Sequence, residues 1–145
     1  MTHALFQPFD AVFTPEFDEY FKEDWSLKNE VGKLRAPLPD IKIGALAEYI
    51  YIQRGALPDE VKYRDVIVSE ELAGEHAGIV DVKTTKVKAT RFKLFPYVLE
   101  RHYEKLGFYR RVGIEKIHHW SYQEGHPTLS LWFVMDIKSG TITQF

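Results

Sequence analysis

Two stretches rich in β-branched residues, KYRDVIVSEE (residues 62–71) and AGIVDVKTTKVKA (77–89), are separated by a short segment that contains Gly74. Such stretches favour strands, and glycine supplies the backbone freedom that a turn needs. The pattern therefore predicts an antiparallel hairpin whose turn centres on Ala73-Gly74. If residues 65–69 pair with residues 77–81, Asp65 lies directly opposite Asp81. The other elements of the chain must pack around this hairpin.

Two helical patterns precede the hairpin. Thr14-Pro15-Glu16 supplies an N-cap hydroxyl, a proline at the first helical position and an early acid, which together begin a helix. Asp40 is placed to cap a second helix, and Gly55 fits its end. The apolar residues of this second helix recur at helical spacing, which predicts a buried stripe of Ile43, Leu46, Ala47 and Ile50.

A third helical pattern, PYVLERHYEKLG (96–107), follows the hairpin, and we expect it to begin at Pro96 and stop at Gly107. YRRVGIEKIHHWSY (109–122) and TLSLWFVMDI (128–137) then predict two strands. This order predicts an α+β fold, a small mixed sheet with a central hairpin flanked by helices. At 145 residues the chain is expected to form a single domain, residues 1–145, with residues 1–40 as an N-terminal helical arm.

The composition and the first residues of the sequence indicate where in the cell the protein is expected. The chain has no cysteine, which excludes a disulfide scaffold, a thiol nucleophile and a cysteine zinc site. Its first residues, MTHALFQPFDAVF, lack the basic and apolar regions of a signal peptide. No apolar run approaches the roughly 20 residues that span a bilayer. We therefore expect a cytoplasmic protein with no membrane association.

The net charge of −2 conceals a polarised distribution. Residues 1–82 contain eight basic and sixteen acidic side chains, whereas residues 83–118 contain ten basic and three acidic ones. A basic segment of this kind is suited to a polyanion, although a solvated basic surface without a partner has the same composition. If the partner is a nucleic acid, the residues expected along its phosphate backbone are Lys86, Lys88, Arg91 and Lys93.

Asp65, Asp81 and Lys83 would share one face of the hairpin, because side chains two apart on a strand point the same way. Two carboxylates directly opposite each other destabilise a hairpin unless something neutralises them. Mg²⁺ or Mn²⁺, which prefer hard oxygen ligands and bind beside phosphate, would do so with Asp65 and Asp81 as ligands. Lys83 would then orient the attacking water or help to deprotonate it. The alternative is that Lys83 alone neutralises both acids.

The strand–turn–strand unit with a first acid, followed by Asp81-Val82-Lys83 and Thr84-Thr85, resembles the PD-(D/E)xK nucleases of restriction-endonuclease-like fold. The resemblance covers roughly residues 43–120 and implies cleavage of phosphodiester bonds in DNA or RNA, or binding without cleavage in a member of the fold that has lost its activity. In many members of that family the preceding helix supplies another acid near the metals, and Glu48 is the matching position. The resemblance thus implies Asp65, Asp81, Lys83 and Glu48 as catalytic residues.

This chain departs from the family pattern at the first acid. The family places a proline before that acid, whereas Asp65 follows Arg64. The literal Pro-Asp lies earlier, at Pro58-Asp59, but pairing Asp59 with Asp81 would need a tight turn near Glu70 without Gly, Asn or Pro. Asp65 is therefore the preferred first ligand, and Asp59 is the alternative.

A second resemblance points to GNAT acetyltransferases, which often carry a Tyr-x-x-x-Gly-Phe helix end followed by a strand. Tyr103, Gly107 and Phe108 match that pattern. The Arg/Gln-x-x-Gly-x-Gly/Ala loop that binds the pyrophosphate of the cofactor is missing from the sequence, which counts against an acetyltransferase.

The histidines suggest two further sites. His119-Trp-Ser121 and His126-Pro-Thr128 resemble the His-x-Ser/Thr units of two-histidine phosphoesterases, but they stand too close together to form a symmetric acid–base pair. His118, His119 and His126 could bind a transition metal, yet neighbouring histidines on a strand point to opposite faces. We expect one of the two neighbours to be buried and the other exposed.

A non-enzymatic role is the remaining alternative. PEFDEYFKEDW (15–25) interleaves carboxylates with aromatic side chains, as partner-binding surfaces often do. This helix would form a homodimer or bind a protein partner. The chain would then be an inhibitor, an adaptor or a subunit of a viral assembly.

Overall fold

The computed structural model describes residues 4–10, 47, 50, 51, 54, 65–88, 90–123 and 126–145, with the backbone alone at residues 4, 10, 65, 126 and 127. Within these residues six strands form one mixed sheet: β1 (Phe9–Asp10), β2 (Asp65–Val68), β3 (Gly78–Val87), β4 (Lys116–Gln123), β5 (His126–Asp136) and β6 (Ile142–Gln144). The described helices are α1 (Glu70–Ala73), α2 (Arg91–Glu104) and α3 (Leu106–Val112), and Ala4–Phe6 and Gly74–His76 form 3-10 turns. The predicted α+β class is confirmed.

The predicted hairpin is present in the predicted register. β2 pairs antiparallel with β3, and Asp65 is the partner of Asp81. Its connection is longer than a tight turn, because α1 and a 3-10 turn fill it. Gly78 begins β3 with φ of 133°, and a Cβ there would lie 2.8 Å from Glu115 Oε1. The missing side chain lets that carboxylate accept a hydrogen bond from the Ile79 N–H at 2.8 Å.

The sequence predicts a hairpin at the centre of the sheet, but the hairpin lies at one edge of the described sheet. The strand order is β1-β5-β4-β3-β2, and β6 also pairs with β5. β3 and β4 are parallel, and both β4–β5 and β5–β6 are antiparallel. A parallel neighbour needs a crossover connection, and α2 and α3 supply it. β4 therefore lies between β3 and β5, and β2 lies at the edge of the described sheet.

The limits of the crossover helices differ from the prediction. α2 begins at Arg91, directly after the extended residue Thr90, so Pro96 lies inside the helix and not at its first position. Pro96 has no N–H to donate to the carbonyl group one turn earlier, but the helix continues around it. Gly107 lies within α3, and the glycine that ends a helix is Gly113, with φ of 87°. Residues 109–112, predicted as strand, are therefore helical.

The sheet has a buried layer on each face. On one face, Val80 and Val82 of β3 pack in a core cluster with Ala47, Ile50 and Tyr51. These last three residues are helical, which confirms the predicted burial of Ala47 and Ile50. Ile43 and Leu46, also predicted in that stripe, lie outside the described residues. On the other face, here called the crossover face, α2 and α3 cover residues of β4 and β5 such as Ile117 and Phe133.

The beginning of the proposed N-terminal arm is part of the sheet. Leu5 and Phe6 are buried in the first core cluster, and Phe9 pairs with Leu129 of β5. The remainder of that arm, residues 11–40, lies outside the described residues. No helix of the described ranges is long and apolar enough to cross a membrane.

Candidate functional site

Asp81 and Lys83 lie together on the crossover face of β3. Val80 and Val82 are buried on the opposite face, so the alternation of the strand directs Asp81 and Lys83 toward the α2–α3 side. Lys83 Nζ lies 3.2 Å from Asp81 Oδ2. The Asp81 side chain is only 13% exposed, whereas that of Lys83 is 44% exposed. The pair thus joins a largely buried carboxylate to an ammonium that reaches solvent.

The other predicted ligands are placed only in part. The backbone of Asp65 lies opposite Asp81, but the Asp65 side chain, Glu48 and Asp59 lie outside the described residues. Among the side chains that the structure describes, no group of three or more His, Asp or Glu is arranged to hold a metal ion. The Mg²⁺ or Mn²⁺ site at Asp65 and Asp81 stays a prediction that rests on the register.

A tyrosine from α3 stands near the Asp81 carboxylate. Burial, with a smaller contribution from the negative charge of Asp81, raises the pKa of Tyr109 to about 12. Tyr109 is only 2% exposed. The phenol therefore stays protonated at neutral pH.

Tyr109 is the first member of a hydrogen-bonded line across the crossover face that includes two imidazoles. Its hydroxyl lies 3.1 Å from His102 Nδ1, and His102 Nε2 lies 2.8 Å from His119 Nδ1. His119 Nε2 in turn lies 2.6 Å from Thr85 Oγ1. Burial, with smaller contributions from the positive charges of Lys83 and Lys105, lowers the pKa of His102 to about 4.

Burial also lowers the pKa of His119 well below its usual value, so both imidazoles are neutral at pH 7. A neutral imidazole has one N–H and one acceptor nitrogen. The line can therefore be hydrogen-bonded in either of two directions, from Tyr109 to Thr85 or the reverse. Such an arrangement can pass a proton without holding a full charge in the interior.

The pattern in the sequence did not reveal this line. His102 and His119 belong to different elements, and only the packing of α2 on β4 brings them together. The one indication in the sequence was that His102 falls on the apolar side of its helix, which favours burial. In the structure His102 is 5% exposed.

His118 occupies the opposite face of β4, as predicted for neighbouring histidines. It is fully buried: its Nε2 donates to the carbonyl group of His76 at 2.9 Å, so its Nδ1, 3.0 Å from the Tyr51 hydroxyl, accepts a hydrogen bond. Burial lowers the pKa of His118 to about 3. The expectation that one of the neighbours His118 and His119 is exposed is wrong, because both faces of the sheet are covered here.

The basic residues predicted to contact phosphate do not share one face. Lys86 alternates onto the face opposite Lys83, and Lys88 is exposed just beyond the end of β3. Lys93 is exposed in the first turn of α2. Arg91 is partly buried and binds protein groups instead: Ser121 Oγ at 2.7 Å, the Ser130 carbonyl at 3.1 Å, and a main-chain oxygen of Phe145 at 3.2 Å.

The segment that resembles an acetyltransferase has a different geometry. In the resemblance, Gly107 and Phe108 lie where a helix gives way to a strand. In the structure both residues belong to α3, and the next strand begins only at Lys116. The helix-to-strand junction that the second resemblance requires is therefore not at this position.

Comparison of the chain with protein-family models, with curated proteins and with solved structures found no match.

Proposed function

We propose that the chain is a metal-dependent nuclease of the PD-(D/E)xK type with a restriction-endonuclease-like fold, acting in the cytoplasm on DNA or RNA. The observation that carries the proposal is the register of the β2–β3 hairpin, in which Asp65 lies opposite Asp81. Lys83 follows on the same face, and its ammonium lies 3.2 Å from the Asp81 carboxylate. This register supports a site in which Asp65 would join Asp81 and Lys83 on one part of the crossover face.

The donor set suits a hard divalent cation. Residues directly opposite each other in an antiparallel pair have Cβ atoms about 4.5–5.5 Å apart, so two aspartates can share one ion. The proposed ligands are Asp65 and Asp81, with Glu48 assisting. A bound Mg²⁺ would polarise the phosphoryl oxygen and lower the pKa of a water nucleophile. Lys83, being partly exposed, is placed to orient that water while it keeps Asp81 in position.

The proposal predicts which ligands raise the thermal stability of the protein. Mg²⁺ or Mn²⁺ should raise the melting temperature, because a ligand present at 100 times its dissociation constant adds about 2.7 kcal/mol to the free energy of unfolding. Acetyl-CoA should not change it. The measurement is a thermal melt with each ligand at matched ionic strength, with Ca²⁺ as a comparison ion. Stabilisation by acetyl-CoA together with indifference to divalent ions would overturn the nuclease assignment.

Nucleic-acid binding is expected to depend on the exposed lysines at the junction of β3 and α2. Reversing the charge in the double variant Lys88→Glu/Lys93→Glu should weaken binding and flatten its salt dependence, because each neutralised phosphate releases counterions. The slope of the logarithm of the affinity against the logarithm of the salt concentration should become shallower by about 0.7 to 0.9 for each phosphate contact removed. A fluorescence anisotropy titration at several salt concentrations measures this slope.

Lys138→Glu is the matched control for that titration, since Lys138 is exposed in the turn between β5 and β6. It should leave the slope unchanged. Lys138→Glu reverses one charge and the double variant reverses two, so a general effect of charge would give Lys138→Glu about half the loss in the logarithm of the affinity, and that result would reject a specific site. Binding that is tight and insensitive to salt would also contradict the assignment of these lysines.

One observation favours a second candidate function, a non-enzymatic interaction protein. Phe92 and Tyr97 of α2 are 87% and 66% exposed, and Phe108 of α3 is 50% exposed. Aromatic side chains are enriched in protein interfaces. Two results together would favour this function. The protein would show neither stabilisation by metal ions nor binding of nucleic acid, and Phe92→Ser would lose self-association or partner binding.

A further inference from the structure

The first turns of α2 present an aromatic and basic surface to solvent. Phe92 and Tyr97 are 87% and 66% exposed, and Lys93 and Pro96 are exposed as well. Residues three and four apart on a helix are neighbours, and each of these four side chains has such a neighbour among the others. The four therefore form one continuous surface, here called the α2 patch.

The α2 patch takes no part in the core. α2 packs on the sheet through its opposite side, where Val98 and His102 are buried. Among the described residues, none makes a ring contact with Phe92 or Tyr97, and none forms a hydrogen bond with the Tyr97 hydroxyl. Aromatic rings left in water gain favourable free energy when a partner covers them. The patch is therefore open to a partner.

The α2 patch alternates aromatic and basic side chains around the helix. At 3.6 residues per turn, and with Phe92 as the origin, Pro96 lies at about 40°, Lys93 at about 100° and Tyr97 at about 140° around the axis. Lys93 thus lies between the two aromatic residues. A ring, a cation and a second ring follow one another across the surface. A base, a phosphate and the next base follow one another in the same way along a nucleic-acid strand.

The surroundings of the α2 patch are positive. Residues 88–97 contain no acidic side chain, and the first acid of α2 is Glu100, about one turn beyond the patch. Lys88, just before the helix, is exposed like Lys93. Among the described residues, none forms an ion pair with either lysine. Charge complementarity therefore favours an anionic partner.

A strand of nucleic acid fits this surface better than a protein does. Lysine is depleted in the buried part of protein interfaces, whereas aromatic rings beside basic side chains are the usual means of binding single strands. In a duplex each base is stacked on its neighbours, so its faces are covered. An aromatic side chain can stack only on a base that is unpaired and splayed out. The exposed rings of Phe92 and Tyr97 therefore favour a single strand over a duplex.

We propose that the α2 patch binds single-stranded nucleic acid, with unpaired bases stacked on Phe92 and Tyr97 and phosphates bound by Lys88 and Lys93. The inference rests on the proposed function, because it takes a nucleic acid as the partner, and it narrows the substrate class to single strands or unpaired ends. The patch lies on the side of α2 that faces away from the sheet and does not include the candidate metal ligands. Binding to it therefore needs no metal ion.

The test is a fluorescence anisotropy titration in EDTA, which prevents metal-dependent cleavage. The probes are a labelled single-stranded oligonucleotide and the same strand annealed to its complement. Two stacked bases should make the single strand bind more tightly than the duplex by about tenfold or more. Phe92→Ala and Tyr97→Ala should each raise the dissociation constant for the single strand by about fivefold or more, because each removes one stacking surface. The affinity for the duplex should not change.

Controls separate stacking from other causes. Tyr97→Phe keeps the ring and loses the hydroxyl, so it should keep the affinity for the single strand. Phe108→Ala removes a half-exposed ring from α3, outside the patch, and should also leave that affinity unchanged. The alanine variants of the patch should keep the salt dependence of the original protein, because they remove no phosphate contact. Their melting temperatures should be unchanged, since the replaced side chains are exposed.

Equal affinity for the single strand and the duplex would overturn the proposal, as would unchanged affinity in both alanine variants. Loss of self-association or of protein binding in Phe92→Ala, with oligonucleotide binding intact, would assign the patch to a protein partner and reject the proposal. Single-strand binding in EDTA that needs Phe92, by a protein that cuts nothing with Mg²⁺, would support the patch and reject the nuclease. Cleavage that needs Asp81 but is unaffected, like binding, in both alanine variants would do the opposite.

Discussion

Acidification from pH 7 to pH 4.5 is expected to lower the free energy of unfolding by several kcal/mol and to unfold the protein. His102, His118 and His119 are all buried and hydrogen-bonded in the interior. Burial is the main cause that lowers the pKa of each, to about 4 for His102 and about 3 for His118. Their surroundings, including Lys83, Lys105 and Lys116, add positive charge.

The sign follows from proton binding. The unfolded chain takes up protons on these imidazoles below a pKa of about 6.5, whereas the folded protein does not, so the stability is complete above that pH and is lost as the pH falls toward the folded pKa values. Each imidazole costs about 1.4 kcal/mol per pH unit in this interval. A domain has only about 5–15 kcal/mol of stability to lose. Asp136, whose pKa its hydrogen bond with Lys116 lowers to about 2, titrates below this interval.

Urea unfolding at half-unit steps of pH measures the effect, and the slope of stability against pH counts the protons taken up. His118→Gln should reduce the slope by about one proton. Val98→Ala, which removes a buried aliphatic side chain from the crossover face, should lower stability equally at every pH and leave the slope intact. A stability that is flat between pH 7 and pH 5 would show that these imidazoles are not neutral and buried in solution.

The second large effect is expected at the hairpin. Asp81→Asn should reduce metal-dependent cleavage to background, because the amide cannot supply the negative charge that a divalent cation needs. Its effect on stability should stay within about 1 kcal/mol, since the lost pair involves a lysine that reaches solvent. The proposed site would also relieve repulsion between Asp81 and Asp65 in this variant. Initial rates on a labelled oligonucleotide with Mg²⁺, together with urea unfolding, measure the two quantities.

The protein has a matched control for this variant. Asp136 and Lys116 form another Asp–Lys pair in the same sheet, with Lys116 Nζ 2.5 Å from Asp136 Oδ2. This pair lies outside the candidate site, so Asp136→Asn, which breaks it, should leave cleavage unchanged. Marked destabilisation by Asp81→Asn with no response to metal would mean that Asp81 is a structural acid, and the nuclease proposal would be rejected. Cleavage that survives the substitution would contradict it as well.

The hairpin and its register could be predicted because they depend on local pattern. The alternation of strands and the position of a glycine were enough to place Asp65 opposite Asp81. The limits of the crossover helices could not be predicted in this way, because a proline and a glycine that usually mark the ends of a helix both lie inside helices here. Pro96 is typical of a first helical position, yet α2 begins at Arg91, whose side chain is fixed by Ser121 and Ser130. Gly107 is typical of a helix end, yet burial of Tyr109 extends helical structure beyond it.

The site could be predicted only where its residues are near one another in sequence. Asp81 and Lys83 are two apart on one strand, so their common face follows from geometry alone. The line of Tyr109, His102, His119 and Thr85 joins three elements, and no pattern within any one of them reveals the contact. The position of the Arg91 side chain depends likewise on serines from β4 and β5, which come close only when the sheet is complete.

The pairing of β1 with β5 has a consequence for the order of folding. Phe9 meets Leu129, so one edge of the sheet joins segments from almost opposite ends of the chain. Contacts of such long range require the closure of a large loop, which slows folding. On the ribosome, the β2–β3 hairpin can form early, but Leu5 and Phe6 cannot be buried beneath the sheet until β5 has emerged. Until then this apolar segment remains open to chaperones and to aggregation.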